Sequence, residues 1–267
     1  MGDNDTPALA LGYTTTNTTQ FSAGQYLISR LAIYPGLSIL DVGCGTGNLT
    51  LHLATLVGPK GSVTGIDPSL SRLAIAQSLA IPANAAPIKF HQAKAEDLSL
   101  FRDGSFDVVF VNSTLHWVQD QARAISEFAR VLRRHGGTLG ISGQSGDFEA
   151  HHERIKREVL SREPYTQFPE VEPPRFLKKQ ELERLLKDAG LAVYEMGINK
   201  IVKKAKNAKE MVDWLDTSSG GKTYGGIPMG EMREKARGEM EVLWEELVQE
   251  GGGISMDLEL LVTVAVK

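Results

Sequence analysis

Two short stretches bring together residues that could do chemistry. In LDVGCGTGN (residues 40–48), glycines 43, 45 and 47 follow an apolar run and precede a helical pattern. Such glycines let the main chain approach a ligand and leave amides available at a helix N-terminus. Asp41 stands two residues before the first glycine. A carboxylate there repels a pyrophosphate but suits a ligand carrying ammonium or sulfonium charge. Asp67 follows Gly47 by 20 residues at the end of SVTGID, where a carboxylate can accept both hydroxyls of a ribose. The dinucleotide fingerprint would require a third glycine at position 48, which is Asn48. In the second stretch, VNSTLHWVQD (111–120), a buried-looking run opens into hydrogen-bonding residues, the His116 imidazole and the Trp117 indole.

A ligand with a ribose and positive charge but no phosphate points to S-adenosylmethionine. The elements that must position these residues alternate. The patterns predict strands over 38–42, 62–67, 87–92, 106–111 and 136–142, and helices over 25–33, 48–57, 68–80 and 121–132, with Pro68 in a first helical turn. Short apolar strands separated by roughly ten-residue helical patterns argue βαβ units in a parallel sheet covered on both faces. Beyond residue 143 the patterns predict helices over 150–160, 178–189, 208–216 and 229–249, a strand over 191–202 and a last strand DLELLVTVAV. The organisation reads as a single domain, 1–267. Residues 1–30 are its N-terminal arm, and 143–177 and 203–250 are elaborations that form the acceptor pocket.

The set LDVGCGTGN, TGIDPS, AKAEDL, DGSFDVVFVNSTLHW and VLRRHGGTL, in this order, resembles the motifs of class I S-adenosylmethionine-dependent methyltransferases. The resemblance covers roughly residues 36–143. It implies an α/β fold, a doubly wound, Rossmann-like sheet of seven strands with the last one reversed, carrying a helical cap. It also implies that Asp41, Gly43, Gly45 and Gly47 line the methionine part of S-adenosylmethionine and that Asp67 binds its ribose. Ala95 and Glu96 would edge the adenine, and Asn112 would offer backbone near the methionine end. Cys44 and Pro68, within the same motifs, count with this cofactor surface. Where the family usually has an adenine-accepting Asp, this chain has Lys94, which cannot accept, so adenine recognition should rest on backbone groups.

LHWVQDQ and MVDWLD (211–216) look like the small-molecule carboxyl methyltransferases of the trans-aconitate and juvenile hormone acid type. By that resemblance Gln20 and Trp117 stand at the acceptor carboxylate, two neutral donors that orient it without a tight cation pair. A carboxylate is already ionised at neutral pH and needs no general base. A phenol or alcohol acceptor would need one, with His116 in that role. A third reading keeps the fold without methyl transfer.

The net charge of -4 gives no push toward nucleic acid or anionic membrane, and no apolar stretch is long enough to span a bilayer. With one cysteine, no intrachain disulfide forms; a cytoplasmic protein acting on a small molecule is the expectation. Adjacent His151 and His152 diverge on a helix, so no metal site is expected. The five lysines between 200 and 209 read as a solvated strand end and helix start.

Overall fold

The computed structural model describes residues 5–168 and 172–267, and these fall into two compact units. One holds residues 18–147, 174–199 and 260–267; the other holds residues 5–17, 148–168, 172–173 and 200–259.

The first unit is built on β1 (Ser38–Val42), β2 (Ser62–Asp67), β3 (Ile88–Gln92), β4 (Val108–Asn112) and β5 (Thr138–Gln144), which run parallel. β6 (Ala192–Ala205) and β7 (Ile254–Val266) complete a seven-stranded sheet in the order β3-β2-β1-β4-β5-β7-β6. β7 lies antiparallel to β5, with Thr138 opposite Val266 and Gln144 opposite Leu260. This is the doubly wound sheet with a reversed last strand that the motifs imply. β4 is buried at all five positions, which is why its run carries no polar alternation before Asn112.

Helices α2 (Thr18–Arg30), α3 (Asn48–Val57), α4 (Leu70–Gln77), α5 (Gln121–Val131) and α7 (Lys179–Asp188) belong to this unit. α5 buries Ala124, Ile125, Phe128 and Val131, one face at helical spacing, into a core with Leu139, Leu182 and Leu186. Burying a side chain such as Phe128 contributes roughly 2–3 kcal/mol. α2 sits on β5, where a Cβ on Gly140 would meet Leu27 of α2 at 3.3 Å.

The second unit contains α1 (Pro7–Thr16), α6 (His151–Leu160), α8 (Ala208–Ser219) and α9 (Glu231–Glu245). Its core gathers Ile155, Tyr165, Met211, Trp214, Met240, Trp244 and Met256.

Three details differ from the sequence expectation. The Thr-rich arm is helical: Thr6 caps α1, Pro7 sits in its first turn, and the hydroxyls of Thr14, Thr15 and Thr16 bond back to carbonyls three or four residues earlier. The helix expected from residue 25 accordingly starts at Thr18. Pro68 does not open α4; Ser69 caps that helix by accepting from the Arg72 amide at 3.2 Å. Lys203, expected in solvent with its neighbours, is only 6% exposed, whereas Lys200, Lys204, Lys206 and Lys209 are exposed. Strand alternation turns Lys203 inward, where Trp214 of α8 packs against it.

Candidate cofactor and transfer site

The glycine loop lies between β1 and α3. Gly47, at φ +83°, is the N-cap of α3; a Cβ there would meet Ala76 at 2.9 Å. Gly43, at φ +70°, is closed over by Thr114, whose Oγ1 would lie 2.2 Å from an added Cβ. The loop is stitched to β2: the Gly43 and Cys44 amides donate to Ile66 O at 2.8 and 2.9 Å. The Gly45 amide donates to Asp67 Oδ2 at 2.9 Å and the Ser69 amide to Asp67 Oδ1 at 2.8 Å. Asp67 therefore holds the ends of two βα turns together, and these amides engage two of its roughly four acceptor positions.

Asp41 is buried beneath the loop, its Oδ2 accepting from Thr50 Oγ1 at 2.6 Å. Burial pushes its pKa up to about 7, with the nearby Asp67 charge adding to the rise and the Thr50 bond opposing it. Thr50 is not among the motif residues. Its signal was a hydroxyl in the first turn of an otherwise apolar helix, NLTLHLATLV. Cys44 is buried as well, and desolvation pushes its thiol well above the ordinary range, so it is protonated at neutral pH.

Around the mouth, Pro68 O accepts from Gln92 Nε2 at 3.0 Å. Ala95 is buried, and Glu96 ties its segment to the start of α5: its Oε1 accepts from the Gln119 amide at 3.1 Å and its carbonyl from Arg123 Nε at 2.8 Å. Lys94 is exposed.

At the end of β4, Asn112 donates through Nδ2 to the main-chain carbonyl of Gln20 at 2.9 Å. Gln20 thus joins the site through its backbone, in the first turn of α2. Asn112 Oδ1 and Ser142 Oγ, on residues opposite each other across β4 and β5, are buried without a partner among the described residues. Ser113 adopts φ +53° and donates to Ser142 O at 2.7 Å, turning the chain sharply into a 3-10 turn, Leu115–Trp117. His116 and Trp117, both half-buried, have rings 5.1 Å apart, and Phe176 packs against His116 at the same distance. Gln121 pins this turn from inside, Nε2 donating to Leu115 O at 2.9 Å and to Arg175 O at 2.8 Å. His116 also borders a cleft lined by Gln121, Gly143, Gln144 and Arg175, with about 30 Å³ of free volume, space for a water or two. Among the described residues there is no cluster of three or more His, Cys, Asp and Glu that could hold a metal ion.

Residues 40–139 match the family model of the methyltransferase domain. That stretch resembles a methyltransferase domain and lies in a sheet of the class I strand order. The methyl donor of that fold family is S-adenosylmethionine. Over 114 residues the chain is 39% identical to demethylmenaquinone methyltransferase from Lactococcus lactis, covering 43% of this chain and 45% of that protein. It is 33% identical over 118 residues to trans-aconitate 2-methyltransferase from Deinococcus radiodurans, covering 44% and 42% of the two chains. A crystal structure of a proposed methyltransferase from Bacillus halodurans shares the fold, with a TM-score of 0.65 at 19% identity over 92% of this chain and 99% of that one. The chain spans about half the length of the curated relatives it matches. Two relatives named for different acceptors align over less than half of the chain, so the matched stretch of the methyltransferase domain does not specify the acceptor.

Proposed function

We propose that the protein transfers a methyl group from S-adenosylmethionine to a carboxylate oxygen of a small molecule. The observation that carries the donor half is the buried Asp41 carboxyl under a glycine loop. It has no cation beside it among the described residues and a pKa raised to about 7. A bound ammonium or sulfonium would supply the missing positive charge and ionise it. Asp67, already gripping the Gly45 and Ser69 amides, would accept from a ribose diol at the same place. The segment of Ala95 and Glu96 would border the adenine. Lys94 would leave that edge to main-chain groups.

The donor supplies a preactivated methyl carbon on sulfur. The protein's share is then positioning and exclusion of water rather than proton removal. The support for a carboxylate is of two kinds. The stretch LHWVQDQ resembles the carboxyl methyltransferases, and the trans-aconitate enzyme is among the relatives. His116 is also wedged between Trp117 and Phe176, as befits a residue that shapes the turn rather than one that moves a proton. In this reading Trp117 Nε1 and the Gln20 amide orient the acceptor oxygens, and Asn112 fixes where Gln20 sits.

Labelled methyl transfer to a panel of organic acids and phenols, followed by mild base, tests the reading. Label released as methanol identifies an ester and supports it. Base-stable label would overturn the carboxylate assignment and move His116 to general base.

A further inference from the structure

The structure assigns to the second unit a binding site for a hydroxylated organic acid, with Lys203 of β6 taking the carboxylate, His152 of α6 taking the hydroxyl and the Trp214 indole of α8 between them. Lys203 is 6% exposed, yet it makes no ion pair among the described residues. Its ammonium lies 5.4 Å from the centroid of the Trp214 ring. An indole face gives an ammonium some compensation but no hydrogen-bond acceptor, and Lys carries three donors. The carboxylate that acts most on it, Glu210, accepts instead from the Lys206 amide at 2.9 Å. Burial accordingly lowers the Lys203 pKa. A carboxylate ligand would restore what burial removes.

His152 is the independent observation. It is 9% exposed, its ring meets Trp214 edge-on at 6.1 Å, and its Nε2 lies 3.1 Å from Glu153 Oε1. Its Nδ1 is buried without a partner among the described residues, and a hydroxyl can serve that nitrogen as donor or as acceptor. The Lys203 ammonium, which makes no ion pair among the described residues, and the buried His152 Nδ1 both belong to side chains packed on one indole. The ligand that satisfies both carries an anionic oxygen and a hydroxyl. The inference goes beyond the proposed transfer, because binding here requires no methyl donor.

Calorimetric titration of the full chain without donor tests it, using 4-hydroxybenzoate, benzoate and methyl 4-hydroxybenzoate. The ester with the wild-type chain, and 4-hydroxybenzoate with the Lys203→Met variant, should each bind about tenfold more weakly than 4-hydroxybenzoate with the wild-type chain, which is about 1.4 kcal/mol. Lys203→Arg should keep binding within roughly threefold, since the cation is retained. His152→Phe should erase the preference for 4-hydroxybenzoate over benzoate while leaving the unfolding midpoint close to wild type. Adding labelled donor then separates two sources of the ligand: label on the acid makes it the methyl acceptor, and binding without label makes it a separate ligand. Both results keep the site. Equal binding by Lys203→Met, or binding of none of the three compounds to the wild-type chain, would overturn it.

Discussion

At the scale of single residues, Asp41 gives the sharpest expectations. Its folded pKa of about 7 lies above the ordinary 3.8, so the folded protein holds that proton more tightly than the unfolded chain. Its contribution to stability is therefore complete below pH 4 and is lost as pH rises toward 7, a swing on the order of a few kcal/mol. Denaturant titrations between pH 4 and pH 8 should show this decline in the wild type and a flatter profile in Asp41→Asn. Identical profiles would mean that Asp41 titrates normally. A cationic donor favours the ionised form, so its affinity should tighten with rising pH by up to roughly tenfold per unit below pH 7. Gly43 offers a steric counterpart. In Gly43→Ala the new methyl meets Thr114 Oγ1 at 2.2 Å in a backbone region that alanine avoids, and the unfolding free energy should fall by about 2 kcal/mol or more. A variant as stable as the wild type would show that this loop relaxes freely.

Among the elements, Asn112 ties the end of β4 to the first turn of α2. Asn112→Ala removes the bond to Gln20 O and should cost about 1 kcal/mol. Hydrogen exchange should quicken in the first turn of α2 while β4, buried at every position, keeps its protection. Unchanged exchange at residues 18–22 would assign the hold on α2 to its contact with β5 instead. The element pattern also shows what the sequence could and could not reveal. Four of the five parallel strands were legible because their apolar runs are mostly buried, β3 from its place in the alternation although it is partly exposed, and the glycine loop because few residues tolerate its positive φ angles. Helix α1 was not, although Thr6 and Pro7 form a recognisable start, because polar threonines that satisfy their own backbone look like a loop. Lys203 was missed for a different reason: its burial comes from Trp214 in another element, and a local pattern of five lysines cannot report that.

For the molecule as a whole, the matched residues 40–139 account for the donor side of the proposal and leave the acceptor open. Asp41, Asp67 and the loop glycines stood out in the sequence because the proposed donor chemistry calls for those types at that spacing. Thr50, Ser69, Thr114 and Gln121 act through hydrogen bonds and packing that only the folded chain brings together. The central claim is that the loop from Asp41 to Gly47, with Asp67, binds S-adenosylmethionine. Calorimetric titration of the full chain with that compound, alongside Asp41→Asn, tests it most directly. The wild type should show saturable one-to-one binding in roughly the micromolar range, weakened at least about tenfold in the variant. A wild-type protein that releases no heat and shows no thermal stabilisation would contradict it and leave a methyltransferase fold put to another use.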